Sequence, residues 1–335
     1  MKPYATGLVI GKFLPPHRGH HYLIDTASAQ SERLFVVVCE HPEQEIPARV
    51  RVACLRERHP EAEILVVPDV VAADDSAGWA EYTRRTLGFA PAAVFTSEDY
   101  GDPYAAALGA QHVLVDRARR TIPCSGTMIR RDPLAHLEWL SPFMRAQYVR
   151  RVCVIGAEST GTTTLAAALA AHYRTAWVPE YGREYCETKW KDGYTTEWRT
   201  EEFVHIAEEQ SRREDAAARE ANRVLVCDTD AFATAIWHER YVGGRSAEVD
   251  GIAAGRFADL YLLTGDEIPF VQDGLRDGEH LRHAMHETFA RELAATGRTF
   301  VLLRGTPEAR LTEAIHHIDT LLKVSPLPRS GRGIG

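Results

Sequence analysis

Gly11-Lys12-Phe13-Leu14-Pro15-Pro16-His17-Arg18-Gly19-His20 follows directly on the apolar run Gly7-Leu8-Val9-Ile10. An apolar strand that breaks into a proline-stiffened loop and then opens a helix is the first step of a βα fold. Ten residues of loop hold one lysine, two histidines and an arginine, and no nucleophilic side chain. Such a set suits the holding and neutralising of phosphates. The whole chain has five lysines, and Lys2 and Lys12 are the two in its first half. A lysine in this loop is therefore not a product of composition. His20 falls near a helix N-terminus, which favours anions. His17 and His20, three apart, can project to the same side of that turn.

Outward from the loop, strand-like and helix-like segments alternate. Strands are expected at Gly7–Ile10, Leu34–Cys39, Ile64–Val67, Ala93–Thr96 and His112–Val115. Helices are expected near His20–Ala29, Ala48–Arg58, Trp79–Leu87 and Pro103–Leu108, with two short stretches near Leu134–Leu140 and Pro142–Tyr148. The strands are short, apolar and valine-rich, as strands buried on both faces are. This pattern predicts an α/β protein with a doubly wound parallel sheet, whose ligands bind at the carboxyl ends of the strands.

The alternation restarts at Val152–Ile155. It continues through a helix at Thr163–Tyr173, a long polar helix near Thr200–Asn222, strands at Val224–Cys227, Leu260–Leu263 and Phe300–Leu303, and a helix at Pro307–Leu322. Two domains are expected, 1–149 and 150–324, with a flexible tail over 325–335 that is rich in Gly, Pro and Arg. A net charge of −8 argues against a general nucleic-acid binder. No apolar stretch is long enough to span a membrane, and the N-terminus has no signal-peptide pattern. The six cysteines, Cys39, Cys54, Cys124, Cys153, Cys186 and Cys227, lack metal-type spacing and are expected to be reduced in a cytoplasmic protein.

Two further segments carry chemistry. Ile122-Pro123-Cys124-Ser125-Gly126-Thr127-Met128-Ile129-Arg130 follows the last strand of the first half. Ser125 is a good N-cap, and Ser125, Gly126 and Thr127 can present N–H groups to a phosphate that Arg130 also reaches. In the second half, Gly156-Ala157-Glu158-Ser159-Thr160-Gly161-Thr162-Thr163-Thr164 matches the phosphate loop GxxxxGK[ST] at both glycines and at Thr163. Thr162 stands where the lysine belongs. The backbone can still form an anion nest and Thr163 can still ligate Mg²⁺, but the charge that reaches the β- and γ-phosphates is missing. Val224-Leu225-Val226-Cys227-Asp228-Thr229-Asp230 ends an apolar strand in two acids, so Asp228 is a candidate Mg²⁺ ligand and Asp230 a candidate for positioning a hydroxyl. Asp230 reads equally as the cap of a helix over Ala231–Arg240. Arg276, in Gln272–Gly278, a stretch that reads as a mobile lid or as a solvated turn, is the first candidate to replace the missing lysine, and Arg183 is another.

Gly11–His20 together with Ser125, Thr127 and Arg130 resembles the HxGH nucleotidyltransferases and their Ser-x-Thr-x-x-Arg signature. Thr96-Ser97-Glu98-Asp99-Tyr100-Gly101 resembles the nicotinamide-nucleotide branch. With a P-loop domain behind it, the chain over residues 5 to 320 resembles the bifunctional nicotinamide-nucleotide adenylyltransferase / ribosylnicotinamide kinase family. The resemblance implies a Rossmann-like HxGH domain followed by a P-loop kinase-like domain. It implies ATP as a substrate with Mg²⁺, and nicotinamide mononucleotide, nicotinamide riboside and NAD as the other ligands. His17 and His20 would then bind the ATP phosphates, Lys12 and Arg130 would neutralise them, and backbone at Gly11 and Phe13 would lie against the nucleotides. Trp79 is a weaker candidate for stacking on the nicotinamide ring. Glu158 is characteristic of the family's phosphate loop. Pro179-Glu180-Tyr181-Gly182-Arg183-Glu184-Tyr185 resembles its riboside-binding region, which makes Glu180, Tyr181 and Arg183 candidates. Some members carry a helix-turn-helix repressor module ahead of the first strand; with none here, no DNA binding is expected. A homo-oligomer is compatible with the sequence. Two rivals stay open: a P-loop half that senses nucleotide without fast transfer, and an HxGH transferase for another phosphate, such as a pantetheine phosphate.

Overall fold

A computed structural model of the protein describes residues 1–72, 74–191, 197–272 and 278–329. It divides into two compact units, one built on Met1–Gln147 and one on Tyr148–Pro326.

In the first unit, strands β1 (Tyr4–Gly11), β2 (Ser31–Glu40), β3 (Glu63–Pro68), β4 (Ala93–Thr96) and β5 (Gln111–Leu114) alternate with helices α1 (Arg18–Gln30), α2 (Ala48–Arg58), α3 (Ser76–Leu87) and α4 (Gly101–Leu108). Helices α5 (Gly126–Arg131) and α6 (Pro142–Tyr148) follow. The stretch expected to be helical near Leu134–Leu140 is two 3-10 turns, Pro133–Ala135 and Leu137–Trp139. All strand pairs are parallel, in the order β3-β2-β1-β4-β5. The chain reverses its winding at β1, so the loop after β1 opens at the switch point where such sheets bind ligands. Val9, Phe13, Leu23, Ile24, Val36, Val38 and Phe95 pack one face of the sheet; Leu8, Phe35, Val37, Val94 and Tyr104 pack the other.

The second unit repeats the plan. Its elements are β6 (Arg150–Ile155), α7 (Thr162–Tyr173), β7 (Trp177–Val178), α8 (Tyr181–Lys191), α9 (Thr200–Ala218), β8 (Val224–Asp228), α10 (Ala231–Val242), α11 (Ala247–Ala254), β9 (Leu260–Thr264), α12 (Arg282–Ala295), β10 (Phe300–Leu303) and α13 (Pro307–Leu322). The parallel order is β10-β9-β6-β8-β7, again with the first strand central. The two-residue β7 is too short to give a strand pattern, and α8, α11 and α12 are helices beyond those expected. The polar helix α9 stops at Ala218, short of Asn222. Of the tail over 325–335, residues 330–335 lie outside the described residues; Pro326 and Pro328 are buried without regular structure.

All six cysteines are free, and five are buried. Among the described residues no helix is long and apolar enough to cross a membrane.

Candidate active sites

The first unit holds a cavity of about 600 Å³ at the carboxyl end of β1. Every candidate of that half lines it: Gly11, Lys12, Phe13, His17, His20, Trp79, Ser125, Gly126, Thr127 and Arg130. That volume lies in the range of small-molecule sites.

His17 is the N-cap of α1. Its Nδ1 accepts from the backbone N–H of Gly19 at 3.1 Å and of His20 at 3.3 Å. With Nδ1 used as an acceptor, a neutral His17 carries its proton on Nε2. The rings of His17 and His20 stack with centroids 3.7 Å apart, and Phe13 meets His20 edge-on at 5.0 Å. His20 keeps part of its surface open while its surroundings are densely packed. Burial, helped by the positive charges of Arg119 and Arg130, pulls the His17 pKa down to about 4. Burial and the neighbouring histidines also hold His20 well below its ordinary value. Both rings are thus neutral hydrogen-bonding groups at neutral pH, not cations.

The same depression makes stability depend on pH. Behind the site, His21 lies 2.9 Å from His59, and burial drops the His21 pKa to about 3. Protons bind these groups in the unfolded chain, near 6.5, before they bind in the folded one. Their contribution is therefore intact above pH 6.5 and falls as the pH drops toward 4, by about 1.4 kcal/mol per pH unit for each histidine. Hydrogen exchange at α1 amides, corrected for intrinsic rates, is expected to show weaker protection at pH 5 than at pH 7. Equal protection would show that these histidines are not held neutral.

The two signatures interlock. Arg130 donates to the Leu14 carbonyl and, at 3.2 Å, to Thr127 Oγ1. The Ser125 hydroxyl caps α5 by accepting from Met128 N at 3.1 Å. A Cβ on Gly126 would sit 2.6 Å from the Leu14 carbonyl oxygen, so only glycine allows the two loops to approach this closely. Gly126→Ala is expected to destabilise the protein by about 1–3 kcal/mol through forced displacement and to depress chemistry at this cavity. Gly251→Ala, in α11 with nothing within 4 Å, is the control, expected to be stabilising by up to ~1 kcal/mol. Equal thermal shifts for the two variants would refute the steric argument.

Charged partners that sequence reasoning missed complete the site. Lys12 is paired with Asp69 at 2.7 Å, and Arg119, which also lines the cavity, with Glu98 at 2.9 Å. Arg51 is fully buried and donates to the carbonyls of Lys12, Ile46 and Cys39, which fixes the loop from behind. An arginine in a surface-like helix gives no local signal of such a role. Trp79 lines the cavity with its indole N–H donated to the Ala72 carbonyl at 3.1 Å.

The second unit has a smaller cavity, about 170 Å³, at the carboxyl ends of β6, β7 and β8. Gly156, Glu158, Ser159, Thr162 and Thr163 line it, with Asp228, Glu180 and Arg183. Gly161 caps α7 in the left-handed conformation, φ +84°. Thr160 does not face the cavity. Its hydroxyl donates to the Ala157 carbonyl and meets Thr264 Oγ1, both at 2.7 Å. Thr164 is exposed and is not among the lining residues. Two arginines with no sequence signal brace the loop: Arg310 donates to Thr160 O at 2.8 Å and Arg282 to Ser159 O at 3.0 Å.

Thr163 Oγ1 donates to Asp228 Oδ2 at 2.6 Å. Burial raises the Asp228 pKa, and the Thr163 and Thr162 hydroxyls oppose that rise. A hydroxyl and a carboxylate oxygen this close fit Mg²⁺, which takes one or two protein oxygens and completes its shell with water and phosphate. Of the two readings of Asp230, the structure shows the helix cap. Asp230 caps α10 through Ala233 N at 3.1 Å, accepts from Tyr261 OH at 2.6 Å, and does not line the cavity. The Tyr181 hydroxyl meets His205 Nε2 at 3.0 Å, and Tyr181 is not among the lining residues. Glu158 holds Arg240 at 2.7 Å and Gly278 N at 2.9 Å. Arg276 lies outside the described residues. Sequence reading also missed an aromatic wall of Trp198, Phe203, Trp237, Tyr241 and Phe289. Trp198 packs on Phe203 at 5.1 Å and on Tyr241 at 5.6 Å.

The AAA domain family matches residues 151–310. The chain is similar in sequence to the trifunctional NAD biosynthesis/regulator protein NadR of Escherichia coli and of Salmonella typhimurium. Each is 28% identical over 292 residues, covering 81% of this chain and 71% of the relative. The fold is shared with crystal structures of NadR protein. The complex with NR has a TM-score of 0.78 at 22% identity, and the complex with NAD and AMP-PNP has 0.75 at 23%. Each covers 97% of this chain and 98% of the other.

Proposed function

We propose, from this kinship with the NadR proteins, that the chain is an NAD-biosynthetic enzyme carrying two consecutive activities. Residues 1–149 transfer the adenylyl group of ATP to nicotinamide mononucleotide, giving NAD and pyrophosphate. Residues 150–324 phosphorylate nicotinamide riboside with ATP, making the mononucleotide that the first reaction consumes. The observation that carries the reading is the convergence of His17, His20, Lys12 and Arg130 on one cavity at the switch point of the first sheet.

In the first reaction the mononucleotide's 5′-phosphate attacks the α-phosphorus of ATP and pyrophosphate leaves. No covalent intermediate is required, so catalysis is positioning and charge stabilisation. His17, neutral with its proton on Nε2, donates to a phosphate oxygen. His20 stacks beside it at the start of α1. Arg130 is anchored to Leu14 O and Thr127, which fixes its guanidinium next to the first loop. Lys12 exchanges Asp69 for the triphosphate. In the second site Thr163 and Asp228 would hold Mg²⁺, which supplies charge neutralisation to the transferred phosphoryl group. The aromatic wall offers flat apolar surface to a pyridine or purine ring. The free cysteines support a cytoplasmic setting.

Incubation of the whole chain with ATP, Mg²⁺ and either nicotinamide mononucleotide or nicotinamide riboside tests both activities, with products identified by mass. NAD and pyrophosphate are expected from the first; mononucleotide followed by NAD is expected from the second. No NAD from the mononucleotide would refute the first activity. Thr162 favours one other reading of the P-loop unit, nucleotide binding without transfer, and ATP binding with an unphosphorylated riboside would establish it.

A further inference from the structure

We propose that Arg183 supplies to the P-loop site the positive charge that Thr162 leaves out, facing the terminal phosphate of a bound nucleoside triphosphate. The inference rests on the kinase reading above and names the residue that lets a loop without its lysine transfer phosphate. In that step the riboside 5′-oxygen bonds to the γ-phosphorus as the β–γ bridging bond breaks. The electron pair leaves with ADP, and the hydroxyl proton passes to water. Negative charge on the γ-oxygens and on the bridging oxygen then needs a cation besides Mg²⁺.

Among the described residues that line this cavity, Arg183 is the one basic side chain. The topology explains its presence. β6 and β7 flank β8, so the phosphate loop after β6, Asp228 at the end of β8 and the start of α8 after β7 come to one edge of the sheet. Arg183 is the third residue of α8. Its positive charge is felt at the Asp228 carboxylate, where it opposes the rise that burial causes.

Nearby cations are committed elsewhere. Lys189 is held by Glu202 at 2.9 Å and by the Glu197 carbonyl at 2.7 Å. Arg240 is paired with Glu158, while Arg282 and Arg310 donate to loop carbonyls. Arg183 is also engaged, one of its contacts being a half-exposed ion pair with Glu187 at 3.4 Å. Such a pair is weak in water and yields readily to a triphosphate. A guanidinium can bridge two phosphate oxygens, as a threonine hydroxyl cannot.

The test uses the full chain and two readouts. Arg183→Ala is expected to slow riboside phosphorylation by about 10²-fold or more, while adenylyl transfer to the mononucleotide is unchanged. Arg183→Lys keeps the charge and should stay within about tenfold of the unmodified chain. Adding Thr162→Lys to Arg183→Ala should restore at least tenfold. The second readout is hydrogen exchange of the peptide over 156–164 with Mg²⁺ and either AMP-PNP or ADP. AMP-PNP should protect it more than ADP, and Arg183→Ala should remove that excess. An Arg183→Ala rate within threefold of the unmodified chain overturns the proposal, and Arg276→Ala then asks whether that residue is the cation. If the unmodified chain never phosphorylates the riboside, the kinase reading falls and Arg183 is judged by exchange alone. Loss of the AMP-PNP excess in the variant supports it; retention of the excess, or no excess in the unmodified chain, overturns it.

Discussion

His20→Ala is expected to lower adenylyl transfer by about 10²–10³-fold, roughly 2.7–4 kcal/mol of transition-state stabilisation, the usual loss for one oriented donor at a developing anion. The protein should remain folded. His20 stands at the start of α1, but the cap belongs to His17, whose Nδ1 takes the N–H groups of Gly19 and His20. Those are backbone contacts that an alanine at 20 leaves in place. The lost group is the imidazole ring, stacked 3.7 Å from His17 and lining the cavity. Removing a ring whose charged form burial disfavours also takes away a source of acid instability. The variant should therefore lose activity without losing its cooperative thermal transition. A rate above half that of the unmodified chain would take His20 out of the chemistry.

Asp228→Asn is expected to abolish phosphoryl transfer to the riboside by about 10³-fold, since a bound cation supplies several kcal/mol of charge stabilisation. Adenylyl transfer should continue unchanged. Asparagine keeps the shape and can still accept from Thr163, so the 2.6 Å contact has a replacement. Burial already opposes the charge on this carboxylate, and a neutral amide removes that cost. Thermal stability should be equal or higher, which separates a lost ligand from a damaged fold. The kinetic signature is a requirement for more Mg²⁺ at fixed ATP. A variant within tenfold of the normal rate at ordinary Mg²⁺ would show that Asp228 does not hold the cation.

The two units were legible in the sequence because buried parallel strands are apolar on both faces and their helices follow at short spacing. The three candidate loops were legible for a related reason. Each is a contiguous stretch in which backbone geometry, glycine and a helix start act together, so Gly11–His20, Ser125–Arg130 and Gly156–Thr164 contain their own instructions. Within Val224–Asp230 the sequence did not separate two acids two residues apart. Only the fold turned Asp228 to Thr163 and Asp230 to Tyr261.

What the sequence by itself determined is the α/β class, the restart of the βα series and the position of each loop after the first strand of its half. These depend on local periodicity and on chain order. What only the tertiary structure decided is which distant side chains complete the sites. Asp69 on Lys12, Arg51 behind the first loop, Arg282 and Arg310 under the second, and the aromatic wall come from segments far apart in the chain. Their residue types are common and their spacing carries no period. They become neighbours because parallel sheet order, set by burial over the whole unit, brings the ends of non-consecutive elements to one edge.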